Sequence, residues 1–135
     1  MSSKEQKAKM LRMRGFRLAQ MVAKNSTMRA RVGAVITRGS KVLSTACNLP
    51  KTTPLLGKYA SCHPWSSHAE MRAIAQAGIG DVQGAIAWIY RETSDGSPAM
   101  ARPCEEFCME MLRMAGIRRI CYTTNEPPYF AEENL

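Results

Sequence analysis

Residues 85–90 read Ala-Ile-Ala-Trp-Ile-Tyr, a nearly continuous apolar run in a chain of 135 residues. Residues 94–98, Ser-Asp-Gly-Ser-Pro, follow it with the residue types that favour turns. Strands that are apolar on both faces are typical of the middle of a sheet, where packing layers cover both sides. The run therefore predicts a central strand that is buried on both faces.

Three further patterns lie on the amino-terminal side of this strand. Small and apolar residues recur at helical spacing from Leu11 to Val22, which predicts a helix over about 5–24. Residues 32–37 and 41–46 have the composition of two strands, and a short glycine-containing loop between them predicts a hairpin.

The carboxyl-terminal side shows a helix–strand pattern after a long connection. We predict a connection over 48–67, a helix over 67–77, a helix over 103–115, a strand over 118–124 and a short tail over 125–135 with little periodicity. A hairpin followed by strand–helix–strand units implies a mixed sheet with helices packed on its faces. We therefore expect an α/β fold with a single domain over 1–135, built as a three-layer α/β/α sandwich with a mixed four- or five-stranded sheet.

The composition is typical of a globular protein. The hydrophobic share is 45% and the charged share is 22%. The amino-terminus lacks the apolar core of a signal peptide, and no apolar run is long enough to span a bilayer. Five cysteines are an odd number, which argues against a disulfide framework. We therefore expect a cytoplasmic protein without a membrane partner.

The positive charge is concentrated in the amino-terminal segment. Residues 1–38 contain ten Lys or Arg against one acidic residue, Glu5, which gives +9, whereas the chain as a whole carries +8. Such a segment attracts phosphate groups whatever their sequence, so nucleic acid is a possible partner. A solvated helix face that keeps a small protein soluble explains the same charge equally well.

Two short motifs contain residues that suit zinc. Residues 68–70 read His-Ala-Glu and residues 103–108 read Pro-Cys-Glu-Glu-Phe-Cys, each at the start of a predicted helix. Zinc binds imidazole nitrogen and thiolate sulfur, and three protein ligands leave a fourth position for water. Glu70 follows the histidine closely enough to move a proton beside the metal without binding it. The motifs therefore predict a catalytic Zn²⁺ site whose ligands are His68, Cys104 and Cys108 and whose catalytic residue is Glu70.

Each motif also has an ordinary structural interpretation. Ser67 and Glu70 have the spacing of a helix capping box, in which the glutamate bonds back to the backbone. Pro103 followed by two acidic residues is a common helix start, and residues 104–115 contain an apolar stripe that would suit a helix core. All of these would have to coincide in order, spacing and topology, so the metal interpretation is favoured.

A purely structural zinc is a second alternative, because such sites are normally closed by a fourth protein ligand. Cys62 and His63 lie just before the predicted helix and are near enough in sequence to supply it. Cys47 and Cys121 fall in predicted strands, and we interpret them as packing residues.

Together the two motifs resemble the zinc-dependent cytidine and deoxycytidylate deaminase superfamily, whose signature is H-x-E followed by P-C-x-x-C. The hairpin strands and the helix–strand junction over 115–122 are also similar, so about 95 residues, from Arg31 to Asn125, follow the pattern. The histidine ligand resembles the deoxycytidylate and tRNA-adenosine branch, and the chain looks most like small phage or bacterial deoxycytidylate-type enzymes.

The resemblance implies a role for each residue of the site. Zinc would activate a water molecule for attack on C4 of cytosine, and Glu70 would move the protons. Asn48 falls where family members hold the nucleotide sugar, and the backbone N–H of Ala69 falls where they hold the base. Arg102 and Pro103 are the remaining expected substrate contacts.

Two features depart from the superfamily pattern. The second motif has the spacing C-x-x-x-C, with Phe107 where the pattern has its second cysteine. On a helix, both spacings place the two sulfurs within about 60° of the same face, so we expect zinc binding to survive. The sequence also ends soon after Thr124, where many relatives continue, and we expect a shortened substrate wall.

The expected reaction is hydrolytic deamination of a small-molecule cytosine nucleotide, dCMP to dUMP, with release of ammonia. The phosphate of a free nucleotide requires a cationic pocket, for which Arg29, Arg31 and Arg102 are candidates. The resemblance also implies a homo-oligomer.

Two other functions are considered. A deaminase acting on cytosine or adenine in single-stranded DNA or RNA would use the basic amino-terminal segment, with Trp65 or Tyr129 stacking on bases. An aromatic fraction of 7% argues against this function. A non-catalytic, zinc-stabilised nucleic-acid-binding module would bind in a salt-sensitive way that does not depend on Glu70.

Overall fold

A computed structural model of the chain describes residues 1–50 and 66–135. Within these residues the α-helices are α1 (Ser3–Leu11), α2 (Arg14–Ala23), α3 (Ala69–Ala77) and α4 (Cys108–Met114). The strands are β1 (Arg31–Arg38), β2 (Lys41–Cys47), β3 (Leu49–Pro50), β4 (Ser66–Ser67), β5 (Ile86–Glu92), β6 (Arg119–Thr123) and β7 (Phe130–Asn134). In this described part of the chain, no helix has the length and apolarity needed to cross a membrane.

One mixed sheet organises the fold, with strands in the order β2-β1-β5-β6-β7. β5 is antiparallel to β1 on one side and parallel to β6 on the other. β2 and β7 complete the two edges with antiparallel pairs. The prediction that residues 85–90 form the central strand of a mixed sheet is confirmed, and the sheet has five strands.

The two faces of the sheet are buried against different helices, as the alternation of side chains along a strand requires. Ile89 and Ile120 belong to a core cluster with Leu112 of α4 and buried residues of α3, which we call the site-face core. Tyr90 belongs to a second cluster with Phe16 of α2, which we call the back-face core. The three-layer α/β/α architecture is confirmed.

The amino-terminal segment forms two helices, so the prediction of one helix over 5–24 is wrong. Met13 has an extended backbone (φ −71°, ψ 120°) that separates α1 from α2. Met10 and Phe16, one on each side of the break, are both fully buried in the back-face core. The helical spacing of apolar residues crosses the break because both helices bury the same face, and no proline marks it.

The carboxyl-terminal tail contains a strand that is not predicted from its sequence. Residues 130–134, Phe-Ala-Glu-Glu-Asn, form β7, which pairs antiparallel with β6. Phe130 lies opposite Thr123 at one end of the pair, and Asn134 lies opposite Arg119 at the other. An edge strand is exposed on one side and tolerates charged residues, so it lacks the apolar alternation of an inner strand. The expectation of an irregular tail over 125–135 is therefore corrected.

Gly33 allows α2 to lie directly on the sheet. A Cβ atom added at Gly33 would come within 2.1 Å of the Ala19 carbonyl oxygen and 2.6 Å of the Ala23 nitrogen, both backbone atoms of α2 or its end. Backbone atoms of a packed helix cannot move aside as a flexible side chain would. Contact between β1 and α2 at this point therefore requires glycine.

We expect Gly33→Ala to lower the free energy of unfolding by about 2 kcal/mol or more, because the added methyl group forces α2 away from the sheet. Gly80→Ala is the matched control, since a Cβ atom at Gly80 meets nothing within 4 Å. Urea unfolding of both variants followed by circular dichroism measures the difference. Equal stability of the two variants would contradict the close packing of α2 on β1.

Candidate active site

A pocket of about 270 Å³ opens where the carboxyl-terminal half of β5 meets the start of α3. Ile89 and Arg91 of β5 line it together with residues 68–70. Ala30 and residues 100–104 contribute further lining. In open α/β sheets ligands bind beside the carboxyl ends of strands, so this pocket occupies the expected place for a site.

Three side chains that can bind a metal converge beside the pocket. His68 Nδ1 lies 3.1 Å from Cys108 Sγ and 3.4 Å from Glu70 Oε1. The three ligand atoms all lie within 4.8 Å of one another. Cys108 is fully buried in the site-face core and Glu70 is only 5% exposed. A buried carboxylate is costly unless it is paired or faces a metal, so the cluster is typical of a metal site.

The amino-terminus of α3 holds His68 and Glu70 in this position. His68 immediately precedes the helix with an extended backbone, and its carbonyl accepts the Arg72 N–H at 3.1 Å. Glu70 is then the second helical residue, and its carboxylate lies next to the imidazole. Because the helix is capped by His68 and not by Ser67, the capping-box interpretation of this motif is wrong.

A wide turn, not a helix, connects Cys104 and Cys108. The Met109 N–H donates to the Cys104 carbonyl at 2.9 Å, and the Cys108 N–H donates to Cys104 Sγ at 3.3 Å. α4 begins only at Cys108, so the predicted helix over 103–115 starts five residues too early. The argument that both sulfurs lie on one helical face is wrong for Cys104.

This turn explains how the extra residue of the C-x-x-x-C motif is accommodated. A bond from residue i+5 back to residue i encloses one residue more than an α-helical turn. Phe107 has a non-helical backbone (φ −136°, ψ −66°) and packs, partly buried, against the site-face core. The extra residue is therefore absorbed before the helix, and the Cys104 sulfur remains beside the backbone of Cys108.

The donor set fits a zinc ion. Tetrahedral zinc with ordinary Zn–N and Zn–S distances holds nitrogen and sulfur about 3.6 Å apart. His68 Nδ1 and Cys108 Sγ lie 3.1 Å apart, about 0.5 Å closer than in such a site. A small rotation of the two side chains would bring them to the zinc-bound separation. Cys104 lines the pocket, and its Sγ accepts the Cys108 N–H at 3.3 Å, but the ligand atoms that lie within 4.8 Å of one another belong to His68, Glu70 and Cys108. Cys104 as the third zinc ligand therefore remains a prediction from the motif.

The electrostatic environment at His68 favours a cation. The hydrogen bond with Glu70 raises the pKa of His68, and the charges of Glu70 and Cys104 act in the same direction. Burial and the positive charge of Arg91 lower that pKa, but the net shift is upward. The same negative groups that stabilise a proton on the imidazole would stabilise a metal ion bound to it.

Asn48 lines the pocket, but its amide is engaged with the backbone of the pocket wall. The Val32 N–H donates to Asn48 Oδ1 at 2.9 Å, and Asn48 Nδ2 donates to the Ala30 carbonyl at 2.9 Å. Asn48 is only 7% exposed. Its side chain therefore holds the segment that forms one wall of the pocket.

Ala69, Arg102 and Pro103, which the sequence analysis predicts as substrate contacts, also line the pocket. The Arg102 guanidinium is already paired: Nε donates to Glu133 Oε2 at 2.7 Å, and NH2 lies 3.0 Å from Glu105 Oε2. Tyr122 also donates its hydroxyl to Glu133 Oε2, at 2.6 Å. The charge of Arg102 is thus balanced by carboxylates at the pocket rim.

Comparison with protein families decides the assignment. The family model described as the cytidine and deoxycytidylate deaminase zinc-binding region matches residues 10–124. The chain belongs to this family. Comparison with curated protein sequences gave no match.

Solved structures show the same fold at low identity. The apo dCMP deaminase of cyanophage S-TIM5 is 19% identical, with 95% of this chain and 89% of that one covered and a TM-score of 0.56. The complex of that enzyme with dCMP and dUMP is 21% identical, covers 92% of this chain and 84% of that one, and has a TM-score of 0.54. Cytidine deaminase from Burkholderia pseudomallei is 17% identical, with 99% of this chain and 93% of that one covered and a TM-score of 0.58.

A longer protein shares the fold as well. RibD from Acinetobacter baumannii is 23% identical over 91% of this chain, with a TM-score of 0.51. This deaminase-family chain spans only 29% of the length of that protein. All of these similarities are below 25% identity, so they establish the architecture and leave the substrate to be argued from the pocket.

Arg91 is a pocket residue that the sequence analysis of this deaminase-family chain missed. It follows the apolar run 85–90 and lies on β5 two residues after Ile89, so the alternation of a strand places both side chains on the site face. That alternation was a signal available in the sequence.

The other expected residues lie elsewhere. Arg31 forms an ion pair with Glu92, and Arg29 is exposed and is not part of the pocket lining. The proposed fourth ligands and the stacking tryptophan lie outside the described residues, namely Cys62, His63 and Trp65.

The ion pair between Arg102 and Glu133 should make stability depend on pH. Hydrogen bonds from Arg102 and then Tyr122 lower the pKa of Glu133. Its contribution to stability is therefore complete above the unfolded-state value of about 4.3 and is lost as the pH falls through the lower folded-state value. We expect Glu133→Gln to lower the melting temperature at pH 7, with the difference from the wild type shrinking as the pH approaches about 3.

Thermal unfolding by circular dichroism between these pH values measures the effect. Glu126→Gln is the control, because Glu126 is exposed and its carboxylate forms no ion pair within the described residues. A loss of stability in Glu133→Gln that stays constant with pH would exclude a role for the carboxylate charge.

Proposed function

We propose that the chain is a zinc-dependent hydrolytic deaminase that converts dCMP to dUMP and releases ammonia. The observation that carries the proposal is the convergence of His68, Glu70 and Cys108 within 4.8 Å beside a pocket. Membership of the cytidine and deoxycytidylate deaminase family supports the reaction type. The proposed substrate-binding residues around this cluster are Asn48, Ala69, Arg102 and Pro103.

His68, Cys104 and Cys108 are the residues that would hold zinc. A bound zinc ion lowers the pKa of a water molecule to about 7 and so supplies a nucleophile at neutral pH. Three protein ligands leave room for that water, whereas a structural zinc would be closed by a fourth. Glu70 is buried at the pocket wall close to these ligands, and we assign it proton transfer and not metal binding.

Glu70 is proposed to carry the protons of the reaction. Its carboxylate takes one proton from the attacking water and passes it to N3 of the cytosine ring as the C4–O bond forms. It then takes the remaining proton from the hydroxyl group on C4 and gives it to the exocyclic amine, and the C4–N bond breaks to release ammonia as the C4 carbonyl forms. One carboxylate can serve both transfers because the donor and acceptor atoms are neighbours in one tetrahedral intermediate.

The position of the basic helices supports a mononucleotide over a polynucleotide. α1 and α2 pack on the back-face core, whereas the pocket opens on the side of the site-face core. A strand bound to those helices would lie across the sheet from the proposed chemistry. Tyr129 is only 8% exposed and packs in the back-face core, so the expectation that it stacks on bases is corrected.

The cyanophage enzyme whose fold matches was solved with dCMP and dUMP, which supports the same substrate class for this chain. At 21% identity this support concerns the class of ligand and not its details. The choice of dCMP over the nucleoside or the triphosphate is part of the proposal.

We expect His68→Ala and Cys108→Ser to lose bound zinc, because each removes one of three ligands. Cys121→Ala is the control, since Cys121 is buried in the back-face core and burial raises its thiol pKa to about 12. Elemental analysis of the purified proteins after dialysis measures the metal content. Full zinc occupancy in Cys108→Ser would contradict the proposed ligand set.

The activity is tested by incubating the zinc-loaded protein with dCMP, deoxycytidine, cytidylate, deoxycytidine triphosphate and a cytosine-containing single strand, with mass spectrometry of the products. We expect dCMP to be deaminated fastest. Glu70→Gln should retain zinc and lose at least about 10²-fold in kcat, as expected when a general acid–base is removed.

Two results would contradict the proposal. Turnover of the single strand alone would make the protein a nucleic-acid deaminase. Unchanged turnover of dCMP by Glu70→Gln would remove Glu70 from the mechanism.

A further inference from the structure

Arg91 is held firmly by its backbone while its side chain is exposed in the pocket. Its N–H donates to Thr123 Oγ1 at 3.0 Å, and its carbonyl accepts the Ala99 N–H at 2.9 Å. In the sheet it lies opposite Val32 of β1. These contacts fix the backbone of Arg91, so its side chain begins at a defined position in the pocket wall.

Two of the other arginines considered for the phosphate are neutralised by carboxylates, and the third, Arg29, does not line the pocket. Arg102 forms ion pairs with Glu133 and Glu105, and Arg31 forms one with Glu92. Arg91 makes no ion pair with any described carboxylate, although it lines the same pocket as Arg102. Among the described residues that line the pocket, Arg91 is therefore the arginine whose charge is not paired with a carboxylate.

The chemistry of the guanidinium indicates what such a charge would bind. Its planar fork donates two parallel hydrogen bonds to two oxygens of one anion, which suits phosphate and carboxylate. A pocket that takes a cytosine base beside Glu70 has a phosphate as the natural anionic group of its ligand. Strand alternation directs Arg91 to the same face of the sheet as that base.

We propose that Arg91 binds the phosphate of the nucleotide and so determines the preference for nucleotide over nucleoside. This inference rests on the proposed function and adds the residue that selects the substrate class. Arg102, the candidate that the sequence offers for the same task, still lines the pocket and keeps its proposed substrate contact, but its charge is paired with Glu133 and Glu105 and is not assigned to the phosphate.

The test compares Arg91→Gln, Arg91→Lys and Arg118→Gln with the wild type. Arg118→Gln removes an equal charge from an exposed residue just before β6, at the end of that strand away from the pocket. The kcat/KM values for dCMP and for deoxycytidine are measured, together with the dissociation constants of dUMP and deoxyuridine by isothermal titration calorimetry.

We expect Arg91→Gln to lower kcat/KM for dCMP and the affinity for dUMP by roughly 10- to 100-fold, the effect of losing a charge-assisted hydrogen-bonded pair. Deoxycytidine and deoxyuridine should change less than about threefold, since they lack the phosphate. Arg91→Lys should restore part of the loss because it keeps the charge without the planar fork. Arg118→Gln should behave as the wild type.

An equal loss for nucleotide and nucleoside in Arg91→Gln would overturn the proposal, as would no loss for either. If the wild type binds dUMP no better than deoxyuridine, the phosphate has no specific site and the proposal fails. These outcomes are distinct from failure of the proposed function, in which the wild type binds dUMP but deaminates no compound of the panel. In that case the titrations alone decide the role of Arg91.

Discussion

Burial of β5 on both faces is the constraint on which the rest of the molecule depends. Ile89 and Tyr90 are adjacent in sequence yet belong to opposite core clusters, so one strand anchors both helical layers. The same alternation continues beyond the apolar run and sends Arg91 to the pocket and Glu92 toward Arg31. A shift of one residue in register would exchange these two charges between the faces, which is why packing and function are specified together here.

The site combines a rigid frame with an irregular segment. α3 packs against β2 and β1 and begins at Ala69, which holds His68 and Glu70 close together. Cys104 and Cys108 are joined by a turn that the Met109 N–H closes onto the Cys104 carbonyl before α4 begins. The turn can absorb an extra residue at little cost because Phe107 has a hydrophobic surface to pack against. The Cys104 sulfur therefore stays beside Cys108 despite the altered spacing, because the extra residue lies outside the helix.

The parts of the fold that the sequence predicts are those determined by local pattern. The central strand, the first hairpin and α3 follow from apolar runs, a glycine-containing loop and helical spacing, and the two motifs led to the residues around the pocket. The parts missed depend on contacts made at long range. Met13 breaks a helix without a proline, near Gly15, whose spacing fits the buried stripe, and β7 is a strand because β6 offers it an edge. Neither partner is visible in the local sequence of the segment concerned.

The arginines show most clearly why nearness to a motif is a poor guide to a binding role. Arg102 precedes Pro103 directly, yet its charge is used by Glu133, 31 residues further along the chain. Arg31 is engaged by Glu92 across 61 residues of sequence. Whether an arginine can take a ligand anion depends on which carboxylates the fold brings to it, because a guanidinium that is already paired gains less from a new anion. Arg91 differs from both because the sheet brings no described carboxylate to it, and that difference is a property of the topology alone.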